Sequence, residues 1–238
     1  MDRIGPTKRP EEKDAGTQNW RELLFLHWRV PTDAMRAVVP APLSLDLHDG
    51  AAWVGLVPFL MRDVRPSWWP SAFAFNFLEC NLRTYVHLDG VPGVYFFSLE
   101  ASSFLAVKAA RIGWGLPYHH ADMAHRRDGQ SAHFETTRRA GGARFAVDYD
   151  VGEPLGPSAP GTLAHFFLER YLLYSEKGGR LVRGQVHHPP YPVHAATVRS
   201  WEDGLVPAIG LPALEGEPEL VHFAPGVDVE VFDPRPVE

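Results

Sequence analysis

Runs in which apolar and polar residues alternate recur along the chain, separated by Asp-Gly, Gly-Gly and proline-rich breaks. Such runs predict strands joined by hairpins. Residues 22–30 (Glu-Leu-Leu-Phe-Leu-His-Trp-Arg-Val) read as a largely buried strand. Pro31-Thr32-Asp33 predicts a short helix, because proline is tolerated in a first turn and Thr or Asp can cap it, and Pro40 and Pro42 stop it. Segments 43–48 and 51–58 flank Asp49-Gly50, and 73–88 and 93–99 flank Asp89-Gly90. Both are hairpin signals, since glycine accepts the positive φ of a tight turn. A third hairpin joins 133–137 to 144–151 around Gly141-Gly142. Helices are expected within 102–114, which is rich in alanine, and over 162–174, which has a Thr cap and an apolar stripe near period 3.6. Strands resume at 181–186, 193–201 and 219–223. Residues 1–18 carry no periodicity and read as a disordered polar tail, with one domain over 19–238. Many hairpins with few helices predict an α+β chain built on a mainly antiparallel sheet or barrel.

The long strand carries the first chemistry. If it is regular over 72–88, its even positions (Leu78, Cys80, Leu82, Thr84, Val86) form an apolar face that meets a core. Its odd positions run Phe73, Phe75, Phe77, Glu79, Asn81, Arg83, Tyr85 and His87 on the other face, next neighbours about 6–7 Å apart. This row is read in two ways. One is a solvated surface with a weak Glu–Arg pair; the other is a ligand cavity with aromatic walls and Glu79, Asn81 and Arg83 as its orienting groups. The segment Gly113-Trp114-Gly115-Leu116-Pro117 cannot be plain helix, because two glycines and a proline fall within five positions. It is a shaped turn that presents Tyr118 and His119, unless Pro117-Tyr118-His119-His120 is an ordinary surface loop.

Composition narrows the classes. The 23 Lys and Arg against 29 Asp and Glu leave a net charge of −6, without the basic footprint of a nucleic-acid binder. A lone cysteine, Cys80, excludes an internal disulfide framework and fits a reducing compartment. No apolar run reaches the ~18 residues of a spanning helix, and the first residues lack the apolar stretch of a secretory signal. A soluble, cytoplasmic protein is expected, with no nucleic-acid or membrane partner. The 12 histidines invite a metal site from His119, His120 and His125 or from His187, His188 and His194. However, no His-Glu-x-x-His motif occurs, and adjacent strand histidines face opposite ways. A hydrogen-bonded loop role for His187 or His188 is the alternative, so no metal and no cofactor is expected. Trp68-Trp69, set between prolines, reads as a lid over a cavity or as a self-association surface.

Two resemblances join these residues. Ala110-Arg111 through Gly113-Trp114, Pro117, Tyr118 and His119 resembles the segment around the Schiff-base lysine of the acetoacetate decarboxylase superfamily, and Glu79 lies 38 residues before Pro117. More closely, the chain from Trp20 onward resembles the YqjF-like bacterial family. The segments carrying this are 24–28 (Leu-Phe-Leu-His-Trp), 81–86 (Asn-Leu-Arg-Thr-Tyr-Val), 93–99, 110–111, 116–118 and 186–189 (Val-His-His-Pro). The resemblance implies an antiparallel barrel-like fold with a central cavity. The reaction does not carry over, because Tyr118 and His119 stand where the superfamily has paired lysines. Of the four lysines, Lys8 and Lys13 lie in the tail and Lys177 beside Gly178-Gly179. Lys108 is then the sole Schiff-base candidate, with a snorkelling surface role as the alternative. What remains is a cavity for a small anionic keto- or hydroxy-acid. Glu79, Tyr118 and His119 would move protons, and Arg83, Asn81 and Arg111 would bind substrate. The alternatives are a structural ion pair joining Glu79 to Arg83 or Arg111, a non-enzymatic sensing or structural barrel that self-associates, and a metal-dependent enzyme using the histidines. Whether the chain is an enzyme stays open at this point.

Overall fold

A computed structural model describes residues 1–108 and 115–237. Twelve strands run in chain order: β1 (Gly16–Val30), β2 (Ser44–Leu45), β3 (Ala52–Pro66), β4 (Phe75–Leu88), β5 (Val91–Ala101), β6 (Tyr118–Asp128), β7 (Ser131–Arg138), β8 (Arg144–Gly156), β9 (Leu172–Lys177), β10 (Arg180–His187), β11 (Val193–Asp203) and β12 (Leu220–Pro236). The hairpin turns fall where predicted. At Asp49-Gly50 and Asp89-Gly90 both residues take positive φ, the twist that matches right-handed strand pairs. The first of these turns does not join a simple hairpin, however. Only the His48–Ala51 bridge spans it, and β2 pairs with β4 instead.

The sheet is sheet-dominated and largely antiparallel, and its pairings close on themselves. β12 pairs β1, β1 pairs β3, then β4 and β5 follow; β5 lies against β9, β9 against β10, and β10 returns to β12. A second path runs from β5 through β6, β7, β8 and β11 to β12. Among the described pairings the parallel ones are β5–β6 and β5–β9. Both faces of β4 are therefore covered. Cys80, Leu82 and Val86 enter one apolar core with Leu24, Met35 and Phe223, while Phe77 and Tyr85 enter another with Phe25, Phe59 and Val231. Where β5 passes β9 the backbones approach closely enough that a Cβ on Gly93 would meet the Tyr174 ring at 2.8 Å and the Leu172 carbonyl oxygen at 2.9 Å.

Helix α1 (Thr32–Val38) begins after Pro31 and buries Met35. Helix α2 (Leu163–Leu168) is capped by the Thr162 hydroxyl, which accepts from the His165 N–H at 3.2 Å. It stops six residues before its expected end, and Leu172 onward is strand β9. Of the helix expected within 102–114, residues 104–108 are helical, 102 and 103 precede them, and 109–114 lie outside the described residues. Three further boundaries differ from expectation. β1 starts six residues before the expected 22, Tyr118 opens a strand rather than a loop, and β12 continues thirteen residues past 223. The segment before β1 lies along the sheet. Arg3 pairs with Asp46, Arg9 with Glu230 at 2.7 Å, and Gln185 donates to the Pro6 carbonyl at 3.2 Å. No helix among the described residues is long and apolar enough to cross a membrane.

Candidate functional site

The odd face of β4 turns inward. Glu79, Asn81 and Arg83 are each less than a tenth exposed, and all three line a cavity of about 120 Å³. Strand alternation alone would not keep one side of β1 and β5 on this cavity, because the lining positions change parity along both strands. In β1 they are Gln18 and Trp20, then Leu23 and Phe25. The switch occurs where β1 gains one residue on β3 between Arg21 and Leu26, with Glu22 at φ +53°. In β5 they are Val94 and Phe96, then Leu99, across the register shift opposite Leu82 and Arg83. Bulges of this kind re-aim side chains, and here they turn apolar walls onto one space.

Tyr118, the first residue of β6, reaches Glu79 of β4 across the intervening strand β5. Its O–H donates to Glu79 Oε2 at 2.9 Å. Burial raises the Glu79 carboxyl to about 8; the Tyr118 hydrogen bond opposes that shift and the Glu100 charge adds to it. Burial first, then the Glu79 charge, pushes the Tyr118 phenol well above its ordinary value. Near neutrality Glu79 is thus mostly a neutral acid, and when ionised it is a stronger base than an ordinary carboxylate. A Tyr118→Phe variant removes the hydrogen bond that favours the carboxylate. Titration of Glu79, followed by carbon NMR of a labelled side chain, is expected to move to higher pH than in the parent, and an unchanged or lower midpoint would contradict this.

Arg83 donates to the Phe167 carbonyl at 3.2 Å and lies over the Phe25 ring at 5.7 Å. Its Nε is buried without a hydrogen-bond partner, as is Asn81 Oδ1. No described carboxylate pairs with Arg83, so the structural Glu79–Arg83 ion pair is not formed. The cavity also holds groups that the sequence did not single out: Trp20, Arg170, Tyr171 and Tyr191. Arg170, just after α2, donates through Nε to the Phe166 carbonyl at 2.6 Å and through one terminal nitrogen to Asp46 at 2.8 Å. An arginine two residues after the apolar run Phe166-Phe167-Leu168 was the available signal for it.

None of the remaining predicted residues that are described lines the cavity. His119 follows Tyr118 on β6, opposite Glu100 of β5, and is not among the lining residues. Arg111 lies outside the described residues. Lys108 is exposed, its ammonium 4.8 Å from the Phe104 ring centre, and none of the four lysines lines the cavity. His188 is buried against Tyr171, ring centres 4.3 Å apart, and its Nδ1 meets the Pro189 carbonyl at 2.8 Å. Burial pushes this imidazole down to about 4. Among the described residues no three His, Cys, Asp or Glu side chains come together as metal ligands. Trp68 is exposed, and its ring packs on Trp69 at 5.2 Å.

Known proteins place this architecture. The enduracididine biosynthesis enzyme MppR, complexed with pyruvate, superposes with a TM-score of 0.68 over 97% of this chain and 93% of its own, at 14% identity. An acetoacetate decarboxylase gives 0.66 over 98% and 91%, also at 14%. At such identity the likeness establishes an acetoacetate decarboxylase-like fold and nothing of the reaction. In sequence, the uncharacterized protein YqjF of Bacillus subtilis (strain 168) is 36% identical over 218 residues, covering 89% of this chain and 88% of that protein. Residues 17–228 match the model of DUF2071, described as an uncharacterized conserved protein, and the chain belongs to that family.

Proposed function

We propose that the chain binds and transforms a small oxo or hydroxy acid inside a barrel formed by the closed strand ring, without a Schiff-base lysine. One observation carries the reading. Arg83 is a buried cation on the cavity wall with no carboxylate partner among the described residues and an unused Nε–H, four positions from a carboxyl that is mostly neutral. A buried charge left unpaired costs several kcal/mol, and an anionic ligand removes that cost. Arg83 binds the carboxylate of the acid. Glu79 in its ionised form takes a proton from the carbon next to the carbonyl, and the C–H electron pair passes into the enolate. Once Glu79 holds that proton, the Tyr118 O–H is released to donate to the enolate oxygen. Return of the proton from Glu79 to carbon completes the cycle. The apolar walls exclude water, which strengthens each of these contacts. The lone, buried Cys80 fits a reducing cytoplasmic setting.

Pyruvate in D₂O is the probe. The protein is expected to speed exchange of the methyl protons, with a rate rising with pH through about 8, and Glu79→Gln is expected to abolish it. Borohydride added with pyruvate is expected to leave all four lysines unmodified. A trapped lysine adduct would overturn the reading in favour of iminium chemistry. Pyruvate that binds without exchange would reduce the site to a sensing or carrier cavity.

A further inference from the structure

Arg83 is not the only cation on this cavity. Arg170 lines it too, and both guanidiniums lie over the Tyr85 ring, at 5.8 and 5.2 Å from its centre. Like the Nε of Arg83, a terminal nitrogen of Arg170 is buried with no hydrogen-bond partner. Arg170 does have a carboxylate, Asp46, but it does not own it. Arg3, from the segment before β1, places both terminal nitrogens on the same Asp46 and lies over the Phe166 ring at 4.7 Å. One buried carboxylate thus serves two guanidiniums, and Arg83 has none. The cavity wall and its support carry three arginines; Asp46 is shared by two of them, Glu169 is held by the Tyr171 O–H and the Tyr191 N–H, and Glu79 is mostly protonated. A single monocarboxylate would neutralise Arg83 and leave the Arg170 side of the wall with net positive charge and an unmet donor.

We propose that Arg170 is a second anion-binding group of the cavity, and that the ligand is a small dicarboxylic acid whose two ends are held by Arg83 and Arg170. Arg3 acts as a positioning residue. By sharing Asp46 it prevents that carboxylate from neutralising Arg170, and so keeps the Arg170 charge turned to the ligand. This rests on the reading of the cavity as an acid-binding site and extends it to the second functional group of the substrate.

The test uses the full chain and a matched pair of probes, succinate and butyrate, which differ in one terminal group. Binding is followed by calorimetry and by the fluorescence of Trp20, a cavity-wall residue. Succinate is expected to bind at least tenfold more tightly than butyrate, and the ratio is expected to fall to within threefold in Arg170→Gln. Because Arg170 also holds the Phe166 carbonyl, Arg3→Ala provides a second variant outside the packed core. There Asp46 turns wholly to Arg170, and the succinate preference is expected to drop severalfold. If butyrate binds in an Arg83-dependent way and succinate is no tighter, the dicarboxylate proposal falls alone. If neither probe binds, it falls together with the acid-binding reading. A preference that survives both substitutions would assign the second carboxylate to some other group and overturn the role of Arg170.

Discussion

Glu79→Gln is expected to be more stable than the parent protein at pH 9 by roughly 5 kcal/mol, and about equally stable at pH 4. The carboxyl moves from an ordinary 4.5 to about 8 on folding. Each unit of such a shift corresponds to ~1.4 kcal/mol. The sign follows from proton binding. Between these two values the folded chain keeps the proton and the unfolded chain has lost it, so stability falls as pH rises through the window and levels off above about 8. Glutamine stays neutral throughout and still accepts from the Tyr118 O–H. Every other titrating group is common to both proteins, so the difference between their urea midpoints isolates this one side chain. Parallel midpoints from pH 4 to 9 would show that Glu79 is ionised in the folded protein as in the unfolded one, and would remove its raised basicity from the proposed chemistry.

Arg83→Met is expected to separate stability from binding. The guanidinium is buried without a counter-charge. Its hydrogen bond to the Phe167 carbonyl and its place over the Phe25 and Tyr85 rings offset only part of the desolvation cost. Methionine fills similar space with an apolar, adaptable chain, and the Phe167 carbonyl retains the Tyr85 O–H as a donor at 3.4 Å. A gain of about 1–3 kcal/mol in unfolding free energy is therefore expected, within the range seen when buried charges are replaced by apolar groups. Binding of pyruvate is expected to weaken by about 30-fold or more, since truncating one member of a buried charge pair costs about 2–5 kcal/mol. Thermal melts and calorimetry on the same samples give both numbers. A less stable variant that still binds pyruvate would mean that Arg83 is structural.

Much of the fold was legible because it is local. Asp49-Gly50, Asp89-Gly90 and Gly141-Gly142 announce their turns through residues that accept positive φ, and alternation along β4 assigned its two faces. Alternation could not say what covered each face. Arg83 and Glu79 look the same in sequence whether they meet water or a cavity, and only the closing of the strand ring decides it. The stretch Tyr171-Leu172-Leu173-Tyr174 extends the apolar stripe of the expected helix, and all four residues are buried, the last three as strand. A strand covered on both sides gives a continuous apolar run, which periodicity cannot distinguish from a helix segment. The Arg3–Asp46–Arg170 cluster draws on three distant parts of the chain and leaves no local pattern at all. The parity switch at Glu22 was equally hidden, since a bulge depends on the partner strand as much as on its own residues.

The closure of the ring by β12 sets the order in which this molecule can be made. That strand pairs with β1, with β10 and with β11. Until it is in place, β1 and β10 each have an unpaired edge, and the walls contributed by Trp20, Phe25 and Val186 face open water. Contacts between the first and last strands carry a large loop-closure cost, so they form late, and ring completion is expected to be the slow step of folding. During synthesis the chain must hold open edges until its last strand is free to dock. Its main hazard is then edge-to-edge aggregation of unfinished chains rather than loss of the finished fold.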